Sequence, residues 1–193
     1  ADVIVVDPSG FVLLDEAAAS SSDAPVLRHL TGGEATRALE GATASFIGVV
    51  GGRSVVAIEM SRDEAWGRWE HLRTVGWQLD GDDAALALTA LALAGWHANY
   101  RYCPRCGAPV QLVSGGWAAR CETCDRLEYP RQDPAIIVLV QDHDGRVLLA
   151  HNALWRPGFV STIAGYVEAG ESPDVTVARE VAEEVGVEIE APT

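Results

Sequence analysis

Short apolar runs broken by turn residues mark the first eighty positions. Residues 3–6 and 11–14 flank Asp7-Pro8-Ser9-Gly10, and residues 46–50 and 54–59 flank Gly51-Gly52. Each pair predicts a β-hairpin, because apolar blocks of strand length joined by such turn residues favour antiparallel pairing. Residues 17–23 are small and polar and read as a loop. Gly81-Asp82-Asp83 then supplies a helix start, with Asp83 as the expected cap, ahead of an apolar stretch over 84–100. Residues 1–98 are thus expected to form a β-rich domain that ends in a linking helix.

Further along, residues 135–140 and 146–150 predict two strands joined by a turn containing Asp144-Gly145. Residues 155–160, with Pro157 and Gly158, read as a loop, and 161–164 as a short strand. From Ser172 the spacing becomes helical. Ser172 supplies the cap, Pro173 the first turn, Asp174 a charge near the positive helix end, and Gly186 the stop. Val175, Ala178, Val181, Ala182 and Val185 form the expected apolar stripe.

Glu180, Glu183 and Glu184 lie opposite that stripe, within an arc of about 100°. Like charges at this spacing repel by roughly 0.2–0.5 kcal/mol per pair, which a solvated acidic face tolerates. A hard-cation site is the other reading. Arg179 stands beside the glutamates, and Gly165 and Glu171 precede them in a loop. Several carboxylate oxygens on one rigid element, completed by a loop carbonyl, suit an octahedral ion. Oxygen donors favour Mg²⁺ or Mn²⁺ over zinc.

Composition narrows the classes. The chain has 193 residues, 48% of them hydrophobic, and 14 Lys+Arg against 28 Asp+Glu, for a formal charge of −14. That excludes disorder as the main description, and it excludes binding that tracks a nucleic-acid backbone through counterion release. The acid is concentrated between Glu168 and Glu184, where Arg179 is the only base. The longest apolar run, 84–96, falls short of the roughly 20 residues a membrane span needs. The N-terminus lacks a basic start and is interrupted by Asp2, Asp7 and Asp15, so no signal peptide is expected. The four cysteines are accordingly expected in a reducing compartment, the cytoplasm, without disulfides.

Those cysteines form two Cys-x-x-Cys pairs, Cys103/Cys106 and Cys121/Cys124, with 14 residues between them. Unligated thiols need no paired spacing, and a redox dithiol needs no second copy. Two such pairs can place four thiolates tetrahedrally around Zn²⁺. Four protein ligands leave no open position, so one structural zinc per chain is expected, in a ribbon over 99–130.

Gly165, Glu171, Arg179-Glu180-Val181, Glu183-Glu184 and Gly186-Val187 match every defined position of the Nudix box. With the four-cysteine ribbon just upstream, the chain resembles the NADH pyrophosphatase family of the Nudix superfamily, whose members also hydrolyse NAD-capped RNA. The likeness runs from about Arg73 to Val187 and extends more loosely over the N-terminal domain. It implies an α+β chain: a β-rich domain, a zinc ribbon, and over 131–193 a Nudix α/β/α domain that is incomplete here. It also implies metal-dependent hydrolysis of NAD(H) to NMN(H) and AMP, and conversion of NAD-capped RNA to 5′-monophosphate RNA.

By position, the resemblance assigns Glu180, Glu184 and the carbonyl of Ala164 to Mg²⁺ or Mn²⁺, with Glu183 bound directly or through water. Arg179 would orient box glutamates including Glu171. Tyr166, Tyr129 and Arg73 match substrate-contacting positions. Where some relatives carry an acidic ligand contact in the ribbon, this chain has Gly115-Gly116. Relatives form homodimers that share the active site, so a homodimer is expected, acting on NAD(H) and the capped 5′ end of RNA. The family continues well past Val187, with further strands, a final helix, a Pro- and aromatic-rich motif and another metal-site glutamate. Weak or no activity is therefore expected of these 193 residues alone, and turnover equal to that of a full-length chain would refute this. Two alternatives stay open: hydrolysis of another nucleoside diphosphate derivative such as ADP-ribose, and a non-catalytic zinc-ribbon binding module.

Overall fold

A computed structural model describes residues 1–16, 24–62 and 66–190. The loop expected over 17–23 lies outside the described residues. The chain divides into two compact units, Ala1–Arg131 and Gln132–Thr193.

In the first unit, β1 (Asp2–Asp7), β2 (Phe11–Leu14), β3 (Ala44–Val50), β4 (Arg53–Glu59) and β5 (Arg68–His71) form one sheet in the order β3-β4-β1-β2-β5. Both expected hairpins are present, β1/β2 and β3/β4. The central pairing is parallel, β1 against β4. No local turn signals it, since its partners lie about fifty positions apart in the chain.

Helices α1 (Gly32–Leu39), α2 (Leu72–Val75) and α3 (Gly81–Asn99) accompany the sheet. Ile4 and Val6 pack with Leu86, Ala87, Ala90 and Ala94 of α3, whereas Val3 and Val5 pack with Ala35 and Ala38 of α1. Successive side chains of a strand face opposite ways. The unbroken apolar run at 3–6 is therefore the mark of a strand covered on both faces. No local pattern marks α1, whose buried residues are two alanines, Ala35 and Ala38.

Two further expectations need correction. Asp80, not Asp83, caps α3, accepting the Asp83 amide at 2.8 Å. Asp83 is buried and serves a distant segment instead, accepting the Leu27 amide at 2.8 Å and facing His29 Nε2 at 3.3 Å. That contact raises the His29 pKa above its ordinary value.

The ribbon follows as β6 (Val110–Val113), a 3₁₀ turn at Ser114–Gly116, β7 (Ala118–Cys121) and β8 (Leu127–Glu128), all antiparallel. In the second unit, β9 (Ala135–Val138) pairs antiparallel with β10 (Ile163–Tyr166), and α4 (Pro173–Val185) packs on both. The strand expected at 146–150 is reduced to isolated bridges, Gln141 to Val147 and Ala150 to Ser161. The strand expected at 161–164 is displaced to 163–166. The stripe predicted for α4 is also displaced: Thr176, Val177 and Val181 are buried, while Val175 is 55% exposed. The helix packs on β9 and β10, where Ile136 and Ile163 are buried.

Candidate active site and metal centre

The α4 segment is fixed at both ends as its sequence dictates. Ser172 Oγ accepts the Val175 amide, Pro173 occupies the first turn, and Gly186 closes the helix in the left-handed conformation. This frame sets the direction of Arg179 and of the three glutamates after it.

Arg179 is saturated. A guanidinium has five N–H donors, and five bonds are present. Nε donates to Glu171 Oε1 at 2.8 Å, and Nη2 donates to Glu171 Oε2 at 2.9 Å and to the Tyr166 carbonyl at 3.0 Å. Nη1 donates to Glu180 Oε1 at 2.8 Å and to Glu183 Oε2 at 3.2 Å. The paired bonds to Glu171 have the fork geometry that makes arginine–carboxylate contacts directional. They tie the loop, strand β10 and helix α4 to one side chain.

Glu171 is fully engaged as well. Besides Arg179 it accepts the Glu168 amide at 3.1 Å and the Thr176 hydroxyl at 2.9 Å. Arg179 chiefly, then the Glu168 amide and Thr176, hold its carboxyl down to about 2 against the opposing effect of burial. The Arg179 pKa is raised in turn, first by Glu171. The sequence pattern does not mark Thr176. A hydroxyl at this position has no periodic signature, and only the fold buries it.

Glu180 lies against Gly165 of β10. A Cβ built on Gly165 would sit 2.5 Å from Glu180 Cγ and closer still to the carboxylate. The first residue of the box is thus glycine because the helix glutamate occupies the space of a side chain. Glu183 is mostly exposed, and Glu184 lies exposed on the same helix. Three carboxylates against one guanidinium leave two negative charges uncompensated around Arg179, before Glu184 is counted. Glu180 and Glu183 each give one oxygen to Arg179 and keep the other. Such a hard, oxygen-only donor set fits Mg²⁺ or Mn²⁺. Among the described residues these glutamate oxygens are not gathered as tightly as the cysteine sulfurs. Ala164 lies in β10 immediately before Gly165, and Tyr166 follows it with its ring exposed.

The first unit holds the other candidates. The sulfurs of Cys103, Cys106, Cys121 and Cys124 all lie within 4.8 Å of one another, with separations of 3.5 Å for Cys106–Cys121 and 3.7 Å for Cys103–Cys124 and Cys106–Cys124. Four thiolates at about 2.3 Å from a tetrahedral zinc stand roughly 3.8 Å apart, so the cage is of the right size. The Cys124 amide, 3.4 Å from the Cys121 sulfur, is the main cause that lowers the Cys121 pKa below the ordinary thiol range. Tyr129 is exposed just past β8. Arg73 lines an apolar cavity of about 350 Å³ together with His71, Leu72, Leu88 and Leu91.

Comparison with known proteins agrees with this layout segment by segment. The NADH pyrophosphatase-like rudimentary NUDIX domain matches residues 10–96, the NADH pyrophosphatase zinc ribbon domain 98–129, and the NUDIX domain 131–193. The chain belongs to the zinc-ribbon NADH pyrophosphatase family of the Nudix superfamily. Members similar to it include the NAD-capped RNA hydrolase NudC of Stutzerimonas stutzeri, 42% identical over 70% of this chain and 49% of its own length. NudC of Mycobacterium tuberculosis is 42% identical over 61% of this chain and 38% of its own. The mitochondrial NAD(P)H pyrophosphatase NUDT13 of Mus musculus is 39% identical over 66% and 36% respectively. The chain therefore spans about half or less of the length of these family members. A structural zinc in the ribbon follows from the family match and the sulfur cage together. Among the described residues, no helix is long and apolar enough to cross a membrane.

Proposed function

We propose that the protein is a divalent-metal-dependent pyrophosphohydrolase that splits NAD(H) into NMN(H) and AMP and removes the NAD cap from RNA, leaving a 5′-monophosphate end. The observation that carries this reading is the saturated Arg179, which holds Glu171 of the loop with Glu180 and Glu183 of α4 in one frame, with charge to spare for a cation. The names of the relatives, an NAD-capped RNA hydrolase and an NAD(P)H pyrophosphatase, support the substrate class.

In this reading Glu180, Glu184 and the Ala164 carbonyl hold Mg²⁺ or Mn²⁺, and Glu183 assists directly or through water. Such an ion, when bound, neutralises diphosphate oxygens and lowers the pKa of a water. Glu171 and Arg179 act by position: Glu171 fixes the guanidinium, and Arg179 aims Glu180 and Glu183. Tyr166 stacks on a ring of the substrate, and Tyr129 and Arg73 contact it. Water adds across the P–O–P bridge, and one phosphate leaves with NMN and the other with AMP. The active form is a homodimer in the cytoplasm, where the ribbon cysteines remain reduced.

The test is chromatography of products from NADH, ADP-ribose and NAD-capped RNA with Mg²⁺ or Mn²⁺, using the full-length protein. NMNH and AMP from NADH are expected, and Glu184→Gln should abolish their release while leaving the circular dichroism unchanged. Undiminished turnover by Glu184→Gln would overturn the assignment of the box. Preference for ADP-ribose over both NAD substrates would overturn the substrate class alone.

A further inference from the structure

His97, near the end of α3, is buried and has an acceptor on each ring nitrogen. Nε2 faces the Gly116 carbonyl of the ribbon turn at 2.8 Å, and Nδ1 faces the Glu59 carboxylate at the end of β4. A carbonyl only accepts, so Nε2 carries hydrogen toward Gly116, and the Nδ1–Glu59 contact then needs a second proton, on Nδ1 or on the carboxyl. The pair holds one proton more than a neutral imidazole beside a free carboxylate, whichever of the two groups carries it.

The contact lies where the ribbon meets the N-terminal sheet. A Cβ on Gly116 would stand 2.8 Å from Ser45 Cβ and closer still to Ser45 Oγ, so the turn is packed directly on β3. Trp117 Nε1 donates to the Phe46 carbonyl at 2.6 Å. Ser114, Gly115 and Gly116 all have positive φ.

We propose that His97 is a protonation-dependent latch that holds the zinc ribbon's Ser114–Gly116 turn on β3 and β4. This is independent of the reading of the Nudix box. The groups facing the ring are Glu59 from β4, the Gly116 carbonyl from the ribbon turn, and the Trp96 ring from its own helix. Burial lowers the His97 pKa, but Glu59 and the Gly116 carbonyl outweigh it and leave the pKa above 6.5. A raised histidine pKa stabilises the folded contact fully below the unfolded value and loses that contribution as pH rises through the folded value. The latch is therefore closed in mild acid and opens toward alkaline pH.

The experiment follows the full chain from pH 6 to 9.5. Histidine ring carbons report the His97 titration, and hydrogen–deuterium exchange, corrected for the intrinsic pH dependence, reports protection over 44–50 and 114–117. Zinc content is measured at each pH. The expected result is a midpoint above 6.5, with protection falling about tenfold across that midpoint at constant zinc, as for one buried hydrogen bond lost. Glu59→Gln should move the midpoint down, and His97→Gln, which keeps a donor but does not titrate, should flatten the pH dependence. Should His97→Gln fail to fold, the wild-type and Glu59→Gln curves decide. A wild-type midpoint at or below 6.5, protection unchanged across it, or loss of protection that tracks zinc release would each overturn the proposal.

Discussion

Replacing Gly165 with alanine tests the tightest contact of the candidate site. The new methyl carbon would lie 2.5 Å from Glu180 Cγ, where carbon atoms prefer about 3.5–4.0 Å. Glu180 must retreat by at least about 1 Å, and the contact to its carboxylate demands more. Its bond to Arg179 Nη1 starts at 2.8 Å, so such a shift takes it past hydrogen-bonding range. Overpacking of this kind costs roughly 1–3 kcal/mol. Replacing a strand glycine returns about 0.5–1 kcal/mol through lower backbone entropy. The clash wins, with a net destabilisation on the order of 1 kcal/mol. The effect on metal binding is expected to be larger in proportion: misdirecting one ligand lowers affinity about 10- to 100-fold. Urea titration gives the first quantity and calorimetric Mn²⁺ titration the second. Unchanged Mn²⁺ affinity together with unchanged stability would refute the placement of Glu180 over Gly165.

Three other outcomes are expected. Acid titration of the Glu171 side-chain carbon by NMR should show the carboxylate ionised well below pH 4.5. Its pKa is depressed, so its stabilisation is present above the ordinary value of 4.5 and is lost as pH falls toward about 2; a midpoint near 4.5 would contradict the Arg179 fork. Thr176→Val should raise that midpoint while Thr176→Ser restores it, because Thr176 donates to Glu171 Oε2 through its hydroxyl; equal midpoints in all three proteins would remove Thr176 from the site. Zinc analysis should find one ion per chain, and chelation should abolish exchange protection across 103–128 while the β1/β4 pairing persists, since apo zinc modules lose roughly 10–16 kcal/mol of metal-coupled folding energy; a ribbon still protected after chelation would show that the sulfur cage is not what holds it.

The parts of this chain legible in advance share a short reach. Two hairpins announce themselves through the turn residues between their strands. The box helix carries its own cap, first-turn proline and terminal glycine. The zinc cage depends on spacing within two four-residue pairs, and the Nudix pattern on offsets within 23 residues. Departures from expectation lie where a residue answers to a distant partner. Asp83 looked like a cap, yet the Leu27 amide and His29 recruit it and leave Asp80 to cap the helix.

What the sequence alone determined is therefore the inventory of chemistry: four thiolates in two pairs, and one arginine among glutamates on a helix with defined ends. The tertiary structure decided how that chemistry is held. It set the parallel β1–β4 pairing, the buried Thr176 hydroxyl on Glu171, the glycine beneath Glu180, and the imidazole between Glu59 and the ribbon turn. The physical reason is one of range. Capping, turn geometry and ligand spacing are satisfied by neighbours along the chain, whereas burial and the pairing of buried polar groups depend on which surfaces meet after the chain has folded.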